Sequence, residues 1–208
     1  MDTQLSTLRG KVRQALDDIT PNAVDSFSQS TNSEIDQALL HAAISLSQTV
    51  PVDLLEPTVK GNLNPTESGS SGYVALDSTS LSNTFLRFVS FTTDKWKATV
   101  FELMEAGSEA EKMQRSRWTQ GTATKPKAML DNIADNSKSK KVLRYWPFTT
   151  NEKATLVYVK MPSVSSSSLT CDLKAETEKN IIYLACRIFL EGKKESTAAE
   201  AFAKLVEL

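Results

Sequence analysis

The sequence predicts an α+β protein in which N-terminal and C-terminal helices pack together around a central antiparallel β-sheet or sandwich. Three observations carry this. Apolar residues recur at helical spacing before residue 50 and again after about residue 172. Between Gly72 and Met161 they come instead as short aromatic and β-branched runs. Stretches rich in Gly, Pro, Ser and Asn mark both borders. The expected organisation is a helical segment over 1–60, a β-rich region with an inserted helix over 61–162, and a helical segment over 163–208 that packs on the first.

The first helix runs from Leu5 to Ile19, with Leu5, Leu8, Val12, Leu16 and Ile19 on one stripe and Pro21 after it. Thr31-Asn32-Ser33-Glu34 has the form of a capping box and opens the second helix. Val50-Pro51 ends that helix, because the residue before proline is pushed out of helical geometry, and VDLLEP adds one short turn. Residues 61–72, GNLNPTESGSSG, have the composition of a loop. GYVAL, FLRFVSF, KATVFELM, KAML, VLRYW and ATLVYVKM read as strands, and SEAEKMQRSRWTQ as the inserted helix. Pro162 and SVSSSS mark the second border. Helix returns from about Asp172, with Thr170 or Asp172 as cap, and STAAEAFAKLVEL forms a last helix with Ala201, Leu205 and Leu208 on one side.

A chain of 208 residues, 40% apolar and 24% charged, can bury a core without disulfides or metals. Net charge is −1, so no overall field recommends nucleic acid, but the charge is uneven. Residues 1–91 carry 5 Lys/Arg against 10 Asp/Glu, residues 92–148 carry 11 against 7, and residues 149–208 carry 8 against 8. Cys171 and Cys186 fit neither a zinc motif nor a secreted disulfide framework, and Cys186 reads as a buried thiol. No signal peptide is readable in MDTQLSTLRGKVRQ, and no apolar run is long enough to span a bilayer.

His41, the sole histidine, decides how far an enzymatic reading reaches. With Ile35 at 0° on a helical wheel, Ala38, Leu39, Ala42, Ala43, Leu46 and Val50 fall between about −60° and +80°. Glu34, Gln37, His41, Ser45 and Gln48 form a polar wedge at about 200° to 280°, so His41 reads as a surface imidazole. Asp17-Asp18 point about 100° apart and do not converge. Phosphate-loop, dinucleotide, zinc-protease and calcium-loop spacings do not occur. The sequence offers no catalytic, cofactor-binding or metal residues, and the expectation is a protein that is not an enzyme and uses no cofactor.

Basic and aromatic residues interleave in DKWK, RSRW and KSKKVLRYW, a mixture that suits phosphate contacts with base stacking. The simpler reading packs Tyr145 and Trp146 and leaves Lys138 to Lys141 on a turn.

The helices raise a further question. Leu40 and Ile44 lie at about 140° and 180°, off the core stripe. In the C-terminal helix, Leu173, Ile181, Leu184 and Ile188 form one stripe and Ile182, Ala185, Cys186 and Phe189 another. A helix apolar on two sides is buried on more than one face. Either the terminal helices sandwich one another, or the second faces meet neighbouring subunits. Leu40, Ile44, Ile182 and Phe189 are the candidate subunit contacts.

The order of these features resembles the head-to-tail adaptor, or connector, proteins of tailed bacteriophages, particularly short-tailed ones. Leu8-Arg9-Gly10-Lys11-Val12-Arg13 with Leu16-Asp17-Asp18 is similar to the family's opening helix. Thr31 to Leu39 is similar to its capped second helix, and Val50-Pro51 with Leu54-Leu55 to the exit. Phe85-Leu86-Arg87-Phe88, Trp96, Gln114 to Trp118, Gly121, Pro126, Arg144 to Pro147 and Leu156 to Val159 are similar to the middle β region. The resemblance implies a structural virion protein of the neck, made in the host cytoplasm. Such subunits form a homo-oligomeric ring, commonly twelve-fold, on the portal protein. The ring extends the DNA channel, touches packaged DNA passively and presents a surface to the next neck or tail ring, with no membrane involved. A rival expectation is a monomeric ligand-binding β-sandwich module for peptide or carbohydrate, with a groove drawn from Trp96, Trp118 or Trp146. A third is a small enzyme built on His41.

Overall fold

The computed structural model describes residues 2–19, 32–76, 85–116, 118–135 and 138–206. In that range the helices are α1 (Leu5–Ile19), α2 (Asn32–Thr49), α3 (Glu109–Met113), α4 (Glu178–Gly192) and α5 (Ser196–Ala203). The strands are β1 (Asp2–Gln4), β2 (Thr58–Leu63), β3 (Thr66–Ser68), β4 (Ser71–Ala75), β5 (Phe85–Thr93), β6 (Lys127–Asp135), β7 (Lys138–Trp146), β8 (Ala154–Lys160), β9 (Ser163–Val164) and β10 (Ser168–Thr170). They form three antiparallel sheets, and the α+β class with helices at both ends holds. Two compact units result: Met1–Glu56 with Lys160–Leu208, and Pro57–Val159.

In the first unit the apolar stripes do what their spacing dictates. Leu5, Leu8, Val12 and Leu16 of α1 are fully buried; the Ile19 side chain and Pro21 lie outside the described residues. Ile35, Ala38, Leu39, Ala42, Ala43, Leu46 and Val50 are buried along α2 and its exit. The helix stops at Thr49, and Val52–Leu54 add a 3₁₀ turn after Pro51. Thr31, the first residue of the expected capping box, is outside the described range. α4 packs against α1, α2 and α5.

Polar ties reinforce this packing. Arg9 donates to both carboxylate oxygens of Asp36, at 2.7 and 2.6 Å, joining α1 to α2. Such a fork is stronger and more directional than a single contact. Lys11 pairs with Glu178, and Lys193 with Glu34 at 2.8 Å. β1, β10 and β9 make a small sheet, with Thr3 opposite Leu169. The Ser-rich run read as a border is therefore a hairpin, closed by bonds between Ser165 and Ser168.

α4 begins six residues later than expected. Leu173 makes an antiparallel bridge with Leu55. The Asp172 carboxylate accepts from the Lys160 backbone N–H at 2.8 Å, so it anchors extended chain and caps no helix. In α5 the buried side is Ala199 and Phe202, while Leu205 is exposed. The buried face is thus the one opposite to that expected from Ala201 and Leu205, and Leu208 lies outside the described residues.

In the second unit the sheet orders are β2-β8-β5 and β3-β4-β7-β6. Side chains from both sheets share one core: Val74, Phe91, Ala128, Leu143, Tyr145, Ala154, Leu156 and Tyr158 with Trp96. Phe91, Trp96 and Tyr145 pack mutually at centroid distances of 4.9 to 5.5 Å in tilted and edge-on arrangements. These are the geometries that aromatic quadrupoles favour. The Trp96 indole donates to the Pro147 carbonyl at 3.2 Å.

Residues 61–72 are not a loop. They complete β2 and form the β3–β4 hairpin, with Thr66 opposite Tyr73. Asn62 and Gly69 take positive φ, which accounts for the turn-like composition inside a sheet. KATVFELM is not a regular strand either; it touches its neighbours through single bridges, Phe91 with Val100 and Met104 with Met129. KAML extends to the nine-residue β6, and Lys138 to Lys141 lie on β7 where they were expected on a turn. The inserted helix is only α3, followed by turns.

Candidate functional site

α2 presents its two sides differently. Its inner stripe is consumed by packing, while Leu40 and Ile44 on the outer side are partly exposed. His41 is exposed on the polar wedge where the wheel placed it. In α4, Ile181, Ile182, Ala185, Cys186, Phe189 and Leu190 are buried, while Leu184 and Ile188 are partly exposed. Ile182 is 8% exposed and Phe189 5% exposed, which leaves little of either side chain for a neighbouring subunit. The reason is position: α4 has α1, α2 and α5 around it, so an all-round apolar helix is what that place demands. Of the four candidate contacts, Leu40 and Ile44 keep an accessible surface.

Between α2 and the end of α4 lies a hollow of about 230 Å³. Glu34, Gln37, Ala38 and His41 supply one wall at helical spacing; Ile188, Phe189, Gly192 and Lys193 supply the other. The Glu34–Lys193 ion pair crosses its rim, and the Lys193 ammonium lies 5.6 Å from the Phe189 ring centre. Glu34 and Lys193 are 159 positions apart, which no local pattern connects. No Ser, Cys or Thr is among the lining residues. Among the described residues no group of three or more His, Cys, Asp or Glu is placed to hold a metal ion.

The thiols are buried and unpaired with each other. Burial pushes Cys186 up to about 12, and its Sγ donates to the Val12 carbonyl at 3.7 Å. Burial also raises Cys171. In the second unit the Tyr145 hydroxyl donates to Glu152 Oε1 at 2.7 Å, and burial raises the phenol. The Thr149 N–H donates to the same oxygen at 3.2 Å. This is a buried structural network: Tyr145 stands in the aromatic core, and Glu152 is itself buried.

The basic–aromatic clusters divide. Trp96, Tyr145 and Trp146 are buried, so two of the three tryptophans proposed for a ligand groove are core residues. Trp118 is 93% exposed. Several basic residues of the middle third face their own carboxylates: Lys112 with Glu109 at 2.7 Å, Arg144 with Asp131 at 3.2 Å, and Arg115 with Glu111 at 3.9 Å. Among the described residues no helix is long and apolar enough to cross a membrane.

Compared with known proteins, the chain matches no protein-family model, and no curated protein matches it.

Proposed function

We propose that this chain is a structural subunit of a phage neck: a head-to-tail connector that joins the portal to the tail and continues the DNA channel. One observation carries the reading beyond the resemblance of its motifs. α2 buries one face completely while Leu40 and Ile44, one turn apart, keep apolar surface on the other. A pair of this kind suits contact with a neighbouring subunit in a symmetric ring or with the portal. The Arg9–Asp36 fork and the burial of α4 favour a preformed helical unit, which lowers the ordering cost of assembly.

The test is quantitative mass spectrometry of purified particles from the source, scaled to the capsid protein. About a dozen copies per particle is the expected result for a connector ring. Absence from particles would sink the proposal.

A further inference from the structure

We infer that Asp131 guards the open edge of β6 and keeps a second copy of this chain from adding its own β6 to the sheet. The guard acts in any assembly, so it does not rest on the connector reading.

β6 is the last strand of its sheet, with β7 on one side. The two pair without a register shift from Lys127 opposite Trp146 to Asp135 opposite Lys138. Backbone groups of successive residues in such a strand point alternately toward the neighbour and away from it. The Ala128 carbonyl shows which are which, because it accepts from the Met104 N–H at 2.9 Å on the side away from β7. Ala128, Leu130, Asn132 and Ala134 therefore turn their N–H and C=O groups outward. A parallel bridge between Met104 and Met129 covers the beginning of this edge. Past Leu130, no described strand pairs with it.

An uncovered edge is a template for strand addition. The alternation restricts how two copies could join there, since in an antiparallel pair outward residues must meet outward residues. A pairing centred on Asn132 uses the whole open stretch. Asn132 would exchange N–H and C=O bonds with its counterpart, and each Ala134 N–H would meet the Leu130 carbonyl of the other copy.

Asp131 blocks this pairing twice. Its Oδ1 accepts from the Asn132 N–H at 2.7 Å, so the donor at the centre of the junction is already taken. Its Oδ2 lies 3.2 Å from the Arg144 guanidinium on β7, which holds the carboxylate in place. The same pairing would also set the two Asp131 carboxylates diagonally across the junction, where like charges repel.

Hydrogen exchange of the full wild-type chain gives one test. In dilute solution the Asn132 amide is expected to exchange at least about 5-fold more slowly than the Ala134 amide, although both point outward. Sedimentation velocity gives another. Asp131→Ala frees the donor and removes the charge. It is expected to self-associate at least about 10-fold more tightly than the wild type, with the Ala134 amide becoming protected as concentration rises. Ala134→Pro deletes an outward N–H without removing a bond to β7. Added to Asp131→Ala, it is expected to return association to the wild-type level, which it would not do for a variant that aggregates through lost stability. Equal exchange at Asn132 and Ala134 overturns the guard, and this reading needs no variant to fold. So does a wild-type Ala134 amide protected in dilute solution, because the edge is then already covered. Association of Asp131→Ala no tighter than that of the wild type, or association that Ala134→Pro leaves intact, overturns it as well.

Discussion

Two glycines are fixed by what stands beside them. A Cβ on Gly121 would lie 2.7 Å from the Trp146 carbonyl oxygen and 3.0 Å from the Lys127 nitrogen, both backbone atoms that cannot step aside. A Cβ on Gly72 would lie 2.5 Å from the Tyr145 ring, which is locked in the core. Gly121→Ala and Gly72→Ala are each expected to lower stability by about 1–3 kcal/mol in denaturant titration. Tyr145→Phe removes a hydroxyl from a buried carboxylate and is expected to cost about 1–3 kcal/mol in the same measurement. The thiols predict a pH dependence. Cys186 keeps its proton in the fold up to about 12, whereas the unfolded chain loses it near the ordinary value of 9.0. The unfolded state therefore binds fewer protons above pH 9, and stability falls as pH rises. The slope approaches about 1.4 kcal/mol per pH unit for each such thiol. Cys186→Ala should flatten its share of that decline between pH 9 and 10, below the range where Tyr145 enters.

At the scale of elements, the contrast between α2 and α4 is testable. Phe189→Asp puts a charge into packed surroundings and is expected to cost several kcal/mol, unfolding the helical unit in a thermal melt followed by circular dichroism. Ile44→Asp acts on a partly exposed side chain and should cost at least about 2 kcal/mol less. Under the connector reading its main effect is a chain that folds yet fails to enter particles. The helices were legible in sequence because burial on one face leaves a 3.6-residue signature, and every apolar position expected on the inner stripe of α2 is buried. The β3–β4 hairpin was not legible. Its three β3 residues are all exposed and Gly69 takes positive φ in the tight turn, so β3 carries no alternation to read. The same limit applied to the candidate contacts. A largely apolar α4 tells that more than one face is covered but not by what, and Ile182 and Phe189 turn out to be buried. The Glu34–Lys193 rim joins opposite ends of the chain, so only folding reveals it.

At the scale of the whole molecule, the helical unit is discontinuous: its two parts flank the 57–159 unit in sequence. α4 is central to the unit and lies wholly in the second part. Deleting Glu178–Leu208 is therefore expected to leave α1 and α2 without their main partner and to abolish their cooperative melting, with β structure retained by far-ultraviolet circular dichroism. The discontinuity also sets an order of events during synthesis. The β unit is contiguous, and all its strands are synthesised before α4. α2 must wait from Thr49 until Glu178 and beyond, which at translation speed is on the order of 10 s. Through that interval the inner stripes of α1 and α2 have no α4 to cover them. A chain cut short upstream of α4 is therefore expected to expose those stripes and to aggregate more readily than the full chain, which light scattering of the two checks. The element that seals the helical unit is thus made well after the helices it seals.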